Sequence, residues 1–115
     1  MYLFFILLLG FSCNETITKQ EARSKLQSLL NVPISDSFII SDYKEDAAIG
    51  RDFTEVFIVH LTHEEFDRIF KKVNPHKFEY IDVDLYGYTV TQNNKTISAI
   101  FNPKDCTIKY TYNSE

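Results

Sequence analysis

The residues that could carry out catalysis are few, and they cluster around one short stretch. His60, His63 and Glu64 lie close together, with Asp67 shortly after them, and imidazole and carboxylate groups are ligands that zinc takes in proteins. A small metal-dependent hydrolase is therefore one hypothesis. The two histidines lack the i, i+4 spacing of a helical metal pair and no third ligand is evident, so polar residues at a strand-to-helix turn are the favoured interpretation. We expect no metal, no cofactor and no catalytic site.

A second set of polar residues alternates with apolar ones along residues 78–91. This pattern is typical of a strand with one buried face and one solvated face. The candidate binding residues on the predicted solvated face are Tyr80, Asp82, Asp84, Tyr86 and, if no bulge intervenes, Tyr88. Exposed tyrosines are enriched at protein interfaces, so this face is a candidate binding surface. The alternative is cross-strand tyrosine pairing that stabilises a half-exposed sheet, with the two aspartates simply solvated.

The N-terminus carries an uncharged apolar segment. Residues 1–14 contain no charged side chain, and Leu3–Leu9 is an unbroken apolar run. A transmembrane helix needs about 20 apolar residues, so the run is too short to span a bilayer but suits the hydrophobic region of a signal peptide. The small residues Gly10 and Ser12 predict cleavage after Ser12. The alternative is an N-terminal core strand or helix.

Cleavage after Ser12 would expose Cys13 as the first residue. The stretch Leu9-Gly10-Phe11-Ser12-Cys13 resembles the lipobox of bacterial lipoprotein precursors. That resemblance implies that Cys13 is acylated and that the chain is anchored by lipid in the bacterial cell envelope, at the outer membrane or the periplasmic face. The predicted organisation is a signal peptide (1–12), a short tether (13–18) and one domain (19–115).

Cys106 is the second of two cysteines. It alternates with Ile108 and Tyr110 as a core position would, which predicts a buried, unreactive thiol. If Cys13 is not acylated, a disulfide between the two cysteines is the alternative.

Two helices and roughly five strands are expected in the domain. Thr18 and Glu21 have capping-box spacing before a helix over residues 19–30, and Thr62 and Glu65 repeat that spacing before a helix over residues 63–73. Strands are expected at 38–41, 53–61, 78–91, 96–101 and 106–112, the second of them covered on both faces. The fold class is α+β, in the order α-β-β-α-β-β-β, with a mostly antiparallel sheet and both helices on one face.

The charge composition excludes one class of partner. The chain has 12 basic and 16 acidic residues, a net charge of 12 − 16 = −4, which argues against nucleic acid. The sequence thus predicts an exported envelope lipoprotein whose small domain binds a protein partner without catalysis, as inhibitor or immunity-type lipoproteins do.

Overall fold

Two helices and six strands form the part of the chain described by the computed structural model, residues 17–47, 53–73, 78–82 and 85–114. In chain order the elements are α1 (Lys19–Leu30), β1 (Ile39–Ala47), β2 (Phe53–His60), α2 (His63–Lys72), β3 (Phe78–Asp82), β4 (Leu85–Gln92), β5 (Lys95–Asn102) and β6 (Thr107–Ser114). The predicted signal peptide and Cys13 lie outside the described residues.

Both helices begin where the sequence predicts. The Thr18 hydroxyl accepts from the Glu21 amide, and the Glu21 carboxylate accepts from the Thr18 amide, which completes the capping box of α1. Thr62 caps α2 by accepting from the Glu65 amide. The apolar stripe of α1 is buried along its length, at Ala22, Leu26, Leu29 and Leu30. Each helix is thus fixed by a polar cap at its start and by apolar packing along one face.

The sheet is antiparallel and its strand order is β1-β2-β6-β5-β4-β3. The last four strands form a meander, and the chain-terminal strand β6 pairs with β2, so that Phe57 lies opposite Tyr110. Strands β1 and β3 are the two edges.

The prediction of roughly five strands is wrong in one segment. The single strand expected at 78–91 is two strands, because Phe78 pairs back with Tyr88 and Tyr80 with Tyr86 in a hairpin. The first strand is also longer than expected and has a register shift between Ser41 and Lys44, where Asp42 takes a positive φ of 54°.

The core lies between the two helices and one face of the sheet. Phe57 and Val59 of β2 are fully buried on that helix-covered face, whereas Val56 and Ile58 on the opposite face are only partly buried. The prediction that this strand is covered on both faces is therefore wrong, since both helices pack on the same side. The opposite face of the sheet is called the open face below.

Cys106 is less buried than the sequence suggests. It lies in the turn before β6 with a φ of 56°, and its side chain is partly buried against the core. The Sγ atom lies 3.8 Å from the Pro103 carbonyl oxygen. The prediction of a core strand position is wrong because the 103–106 turn places this residue ahead of the strand ladder. The alternative disulfide partner, Cys13, lies outside the described residues.

Candidate functional site

Five side chains line a groove beside the edge strand β3, on the helix-covered side of the sheet. The groove has a volume of about 510 Å³ and is lined by Phe70, Lys71, Phe78, Tyr80 and Tyr86; we call it the aromatic groove. Helix α2 supplies the first two side chains, β3 the next two and β4 the last. Three elements that are separate in sequence thus meet at one concave surface.

Aromatic ring contacts hold the groove in shape. The Phe70 ring stacks on Phe78 with centroids 5.1 Å apart and meets Tyr86 edge-on at 5.3 Å. Phe70 and Phe78 also contact the buried Phe101 ring. Offset and edge-to-face pairs of this kind contribute about 0.5–1.5 kcal/mol each beyond burial, so the floor of the groove is an extension of the core.

Tyr80 forms the exposed rim of the aromatic groove. Its residue exposure is 68%, and its ring lies edge-on to Tyr86 with centroids 6.2 Å apart. A large aromatic side chain held in place by its neighbour offers contact area at little further loss of conformational entropy. Nearby Ile81, at 50% exposure, adds apolar surface on the open face of the same strand.

The two edges of the sheet differ in chemistry. Edge strand β1 carries the charged residues Asp42, Lys44, Glu45 and Asp46. Charged side chains are one way in which proteins prevent unwanted strand pairing at an edge. The described side chains of β3 are Phe78, Glu79, Tyr80 and Ile81, three of them apolar or aromatic. Of the two edges, β3 is the better suited to contact another protein.

The structure corrects the predicted binding face in part. Tyr80 and Tyr86 come together in the aromatic groove, but Tyr88 is a core residue at 9% exposure. The three tyrosines lie on the helix-covered face of the sheet, because Phe70 of α2 packs against Tyr86. Asp82 pairs with Leu85 through the backbone, while its side chain and all of Asp84 lie outside the described residues. The prediction that the tyrosines face solvent as one row is wrong.

The structure places the two histidines of the metal hypothesis on different sides of the sheet. His60 is exposed at the end of β2, on the face away from Phe57 and Val59, and His63 begins α2 on the helix-covered side. Within the described residues, no group of three or more His, Cys, Asp or Glu side chains is arranged to hold a metal ion. The predicted partners Glu64 and Asp67 lie on α2 with His63.

His60 does have a partner that the sequence did not indicate. Its Nε2 atom lies 2.7 Å from the Ser41 hydroxyl across the β1–β2 pair. A serine hydroxyl beside a histidine can act as a nucleophile with the imidazole as its general base, but a catalytic pair also needs a third group that orients the imidazole. No described side chain makes a hydrogen bond to the other ring nitrogen of His60, so this pair reads as a surface hydrogen bond.

Sequence reasoning missed two features near the helices. Phe70 is one apolar residue of the predicted second helix, and nothing in the sequence marks it as a wall of the aromatic groove. Glu55 is the one buried charged residue among those described, at 4% exposure, and the sequence analysis assigns it no role. Its parity with Phe57 and Val59 on β2 was the available signal.

Comparisons add no relative from which a role could be transferred. The chain matches no family model, no curated protein and no solved structure. Among the helices that the structure describes, none has the length and apolar character needed to cross a membrane.

Proposed function

We propose that this chain is an exported lipoprotein of the bacterial cell envelope, anchored through acylated Cys13, whose domain binds a protein partner without catalysing a reaction. The anchor rests on the lipobox-like stretch and the uncharged apolar run before it. The binding role rests on one observation above all, the exposed Tyr80 ring held against Tyr86 at the rim of the aromatic groove.

The partner's contact is an extended segment that lies along β3. An edge strand has backbone N–H and C=O groups available for a further strand, and the side chains of an added strand alternate between the two faces of the sheet. Those on the helix-covered face would enter the aromatic groove, where Phe70 and Phe78 provide apolar walls and Lys71 a positive charge. Because side chains two residues apart share a face, the pattern that fits is an apolar or aromatic residue with an acidic residue two positions away.

Photocrosslinking tests the binding role directly. A photoreactive phenylalanine analogue is placed at Tyr80 in the full chain, expressed in the cells that produce it, and crosslinked products are separated by mass. We expect one discrete protein product. A matched probe at Ile39, which is 69% exposed on the other edge strand, should not give that product.

A second variant tests whether the crosslinked product depends on the aromatic groove. Tyr86→Ala removes the ring against which Tyr80 packs, and it should reduce the Tyr80 crosslink about tenfold, as expected for the loss of an interface hot spot. Equal crosslinking from Ile39, or an undiminished product with Tyr86→Ala, would show that the aromatic groove is not the contact.

Lipid attachment is tested separately by the intact mass of the protein from the same cells. A product that begins at Cys13 and carries added acyl mass is expected. A product that retains Met1 would contradict export, and one that begins at Cys13 without added mass would contradict the anchor.

A further inference from the structure

The start of α1 lies over one edge of the sheet. The Lys19 ammonium is 5.8 Å from the centre of the Phe38 ring, directly before β1. Further along the helix, Lys25 pairs with the Glu55 carboxylate of β2, whose other oxygen accepts from the Tyr43 hydroxyl of β1. The last turn of the helix borders a cavity shared with β4 and β5. The helix therefore begins at edge strand β1 and runs inwards across the sheet.

The chain is fixed to the domain from Ile17 onwards. The Ile17 side chain packs against the core, and the capping box at Thr18 holds the residue before the helix. Cys13 precedes Ile17 by four residues in the sequence. Four residues span at most about 14 Å, even when fully extended. An acyl group on Cys13 would therefore keep Ile17, and the β1 edge next to it, close to the surface of the membrane.

The corner of the sheet at this end of β1 is apolar. Among the large hydrophobic residues that the structure describes, Ile39 is the most exposed, at 69%. It is the first residue of β1, and the Lys19 ammonium donates to the Asp36 carbonyl oxygen three residues before it, at 3.2 Å. Ile39 lies opposite His60 of β2, so its side chain is on the open face. An exposed isoleucine thus stands beside the point where the chain enters α1.

The short tether makes this small apolar surface effective. A single isoleucine has too little apolar area to hold a protein on a bilayer by itself. A tether makes the contact intramolecular and so raises the effective concentration of the surface at the membrane. The charged side chains at the start of α1 and before β1, Lys19, Glu21 and Asp36, are of both signs. Attraction to anionic lipids is therefore not the basis of the contact.

We propose that the corner of the domain formed by the start of α1 and the start of β1 rests on the membrane, with Ile39 inserted at its surface, and that the β3 edge points away. This contact depends on the proposed acyl anchor at Cys13. The two edges of the six-stranded sheet lie about 24 Å apart, since neighbouring strands are about 4.8 Å apart. The aromatic groove is thereby left open to a partner in the aqueous phase.

Tryptophan fluorescence tests the orientation, because the chain contains no tryptophan. Ile39→Trp and its matched control Ile81→Trp place one reporter on each edge strand, at isoleucines that are both exposed on the open face. The acylated full-length protein is purified from the cells that produce it and reconstituted in vesicles of phosphatidylcholine with brominated acyl chains, which quench tryptophan on contact.

We expect quenching of Ile39→Trp relative to vesicles without bromine, and a shift of its emission to shorter wavelength. Both effects should be the same at low and high salt, because the contact is apolar. Ile81→Trp should show neither effect. As a second measurement without tryptophan, a photoreactive phenylalanine analogue at Ile39 should form an adduct with the mass of one phospholipid, whereas the analogue at Tyr80 should form none.

The intact mass separates failure of this orientation from failure of the anchor. Protein that carries no acyl mass at Cys13 would overturn the anchor and the orientation together. Acylated protein in which Ile39→Trp is not quenched, in which Ile81→Trp is quenched equally, or in which the analogue at Ile39 forms no lipid adduct would overturn the orientation and leave the anchor in place.

Discussion

The ion pair between Lys25 and Glu55 yields the sharpest prediction about stability, because its two partners are unequally buried. The side chain of Glu55 is 5% exposed and that of Lys25 is 35% exposed. Removing one partner of a buried pair is costly when the charge left behind cannot reach water. The two single substitutions should therefore differ.

In Lys25→Met, the carboxylate of Glu55 loses its counter-charge and stays buried. We expect a loss of about 3–5 kcal/mol in the free energy of unfolding. In Glu55→Gln, the lysine can turn its ammonium into solvent and the Tyr43 hydroxyl can still donate to the amide oxygen, so the loss should be about 1–2 kcal/mol. The asymmetry follows from which of the two groups is enclosed.

Urea unfolding at pH 7, monitored by circular dichroism, measures both values. Thermal midpoints provide a check, since 1 kcal/mol corresponds to about 4–8 °C in a domain of this size. The double variant Lys25→Met/Glu55→Leu removes both charges and should lie within about 1 kcal/mol of the wild type. A loss for Glu55→Gln equal to or greater than that for Lys25→Met would refute the reasoning.

Three further predictions test other parts of the fold. Hydrogen bonds from Arg68 lower the pKa of Glu65 from its ordinary value of 4.5 to about 2. The stabilisation from this carboxylate is therefore complete above pH 4.5 and is lost as the pH falls towards 2. Glu65→Gln should accordingly cost about 1–2 kcal/mol in urea unfolding at pH 7 and almost nothing at pH 2. A constant difference across that range would contradict the assignment. Phe101→Ala opens a cavity at a fully buried ring and should cost about 3–5 kcal/mol in the same assay; a loss below about 1 kcal/mol would show that the ring is not part of the core. Gly87→Ala would place its Cβ 2.7 Å from Ile81 Cδ1, but Ile81 is half exposed and can turn away, so the loss in thermal unfolding should be under about 1 kcal/mol and should disappear in an Ile81→Ala background. The same loss in both backgrounds would mean that this contact is not its cause.

Local sequence signals were sufficient for the helices. Thr18 and Thr62 provide caps through hydrogen bonds that span three residues, and the apolar stripe of α1 repeats at helical spacing. Such interactions depend only on near neighbours in the chain, so the start of each helix and the α+β class could be predicted. Asn93, in the tight turn between β4 and β5, takes a positive φ of 57°, which asparagine tolerates better than most residues.

Local sequence signals could not show which face of β3 and β4 turns towards the core. One parity carries Tyr80, Tyr86 and Tyr88, and the other carries Ile81 and Leu85, so both present substantial apolar area. The parity that faces the core was decided by α2, whose Phe70 ring packs against Phe78 and Tyr86. A strand with apolar groups on both faces takes its orientation from the layer that packs on it.

The amino-acid sequence by itself determined where each helix begins and the antiparallel class of the sheet. Only the tertiary structure decided that β6 pairs with β2, that the aromatic groove forms beside β3, and that Glu55 is enclosed with Lys25. These features depend on contacts between residues far apart in the chain, as between Lys25 and Glu55 or Phe70 and Tyr86. Helical periodicity and capping are local interactions, whereas the partners of a strand and the contents of a groove are set by the packing of the whole sheet against its helices.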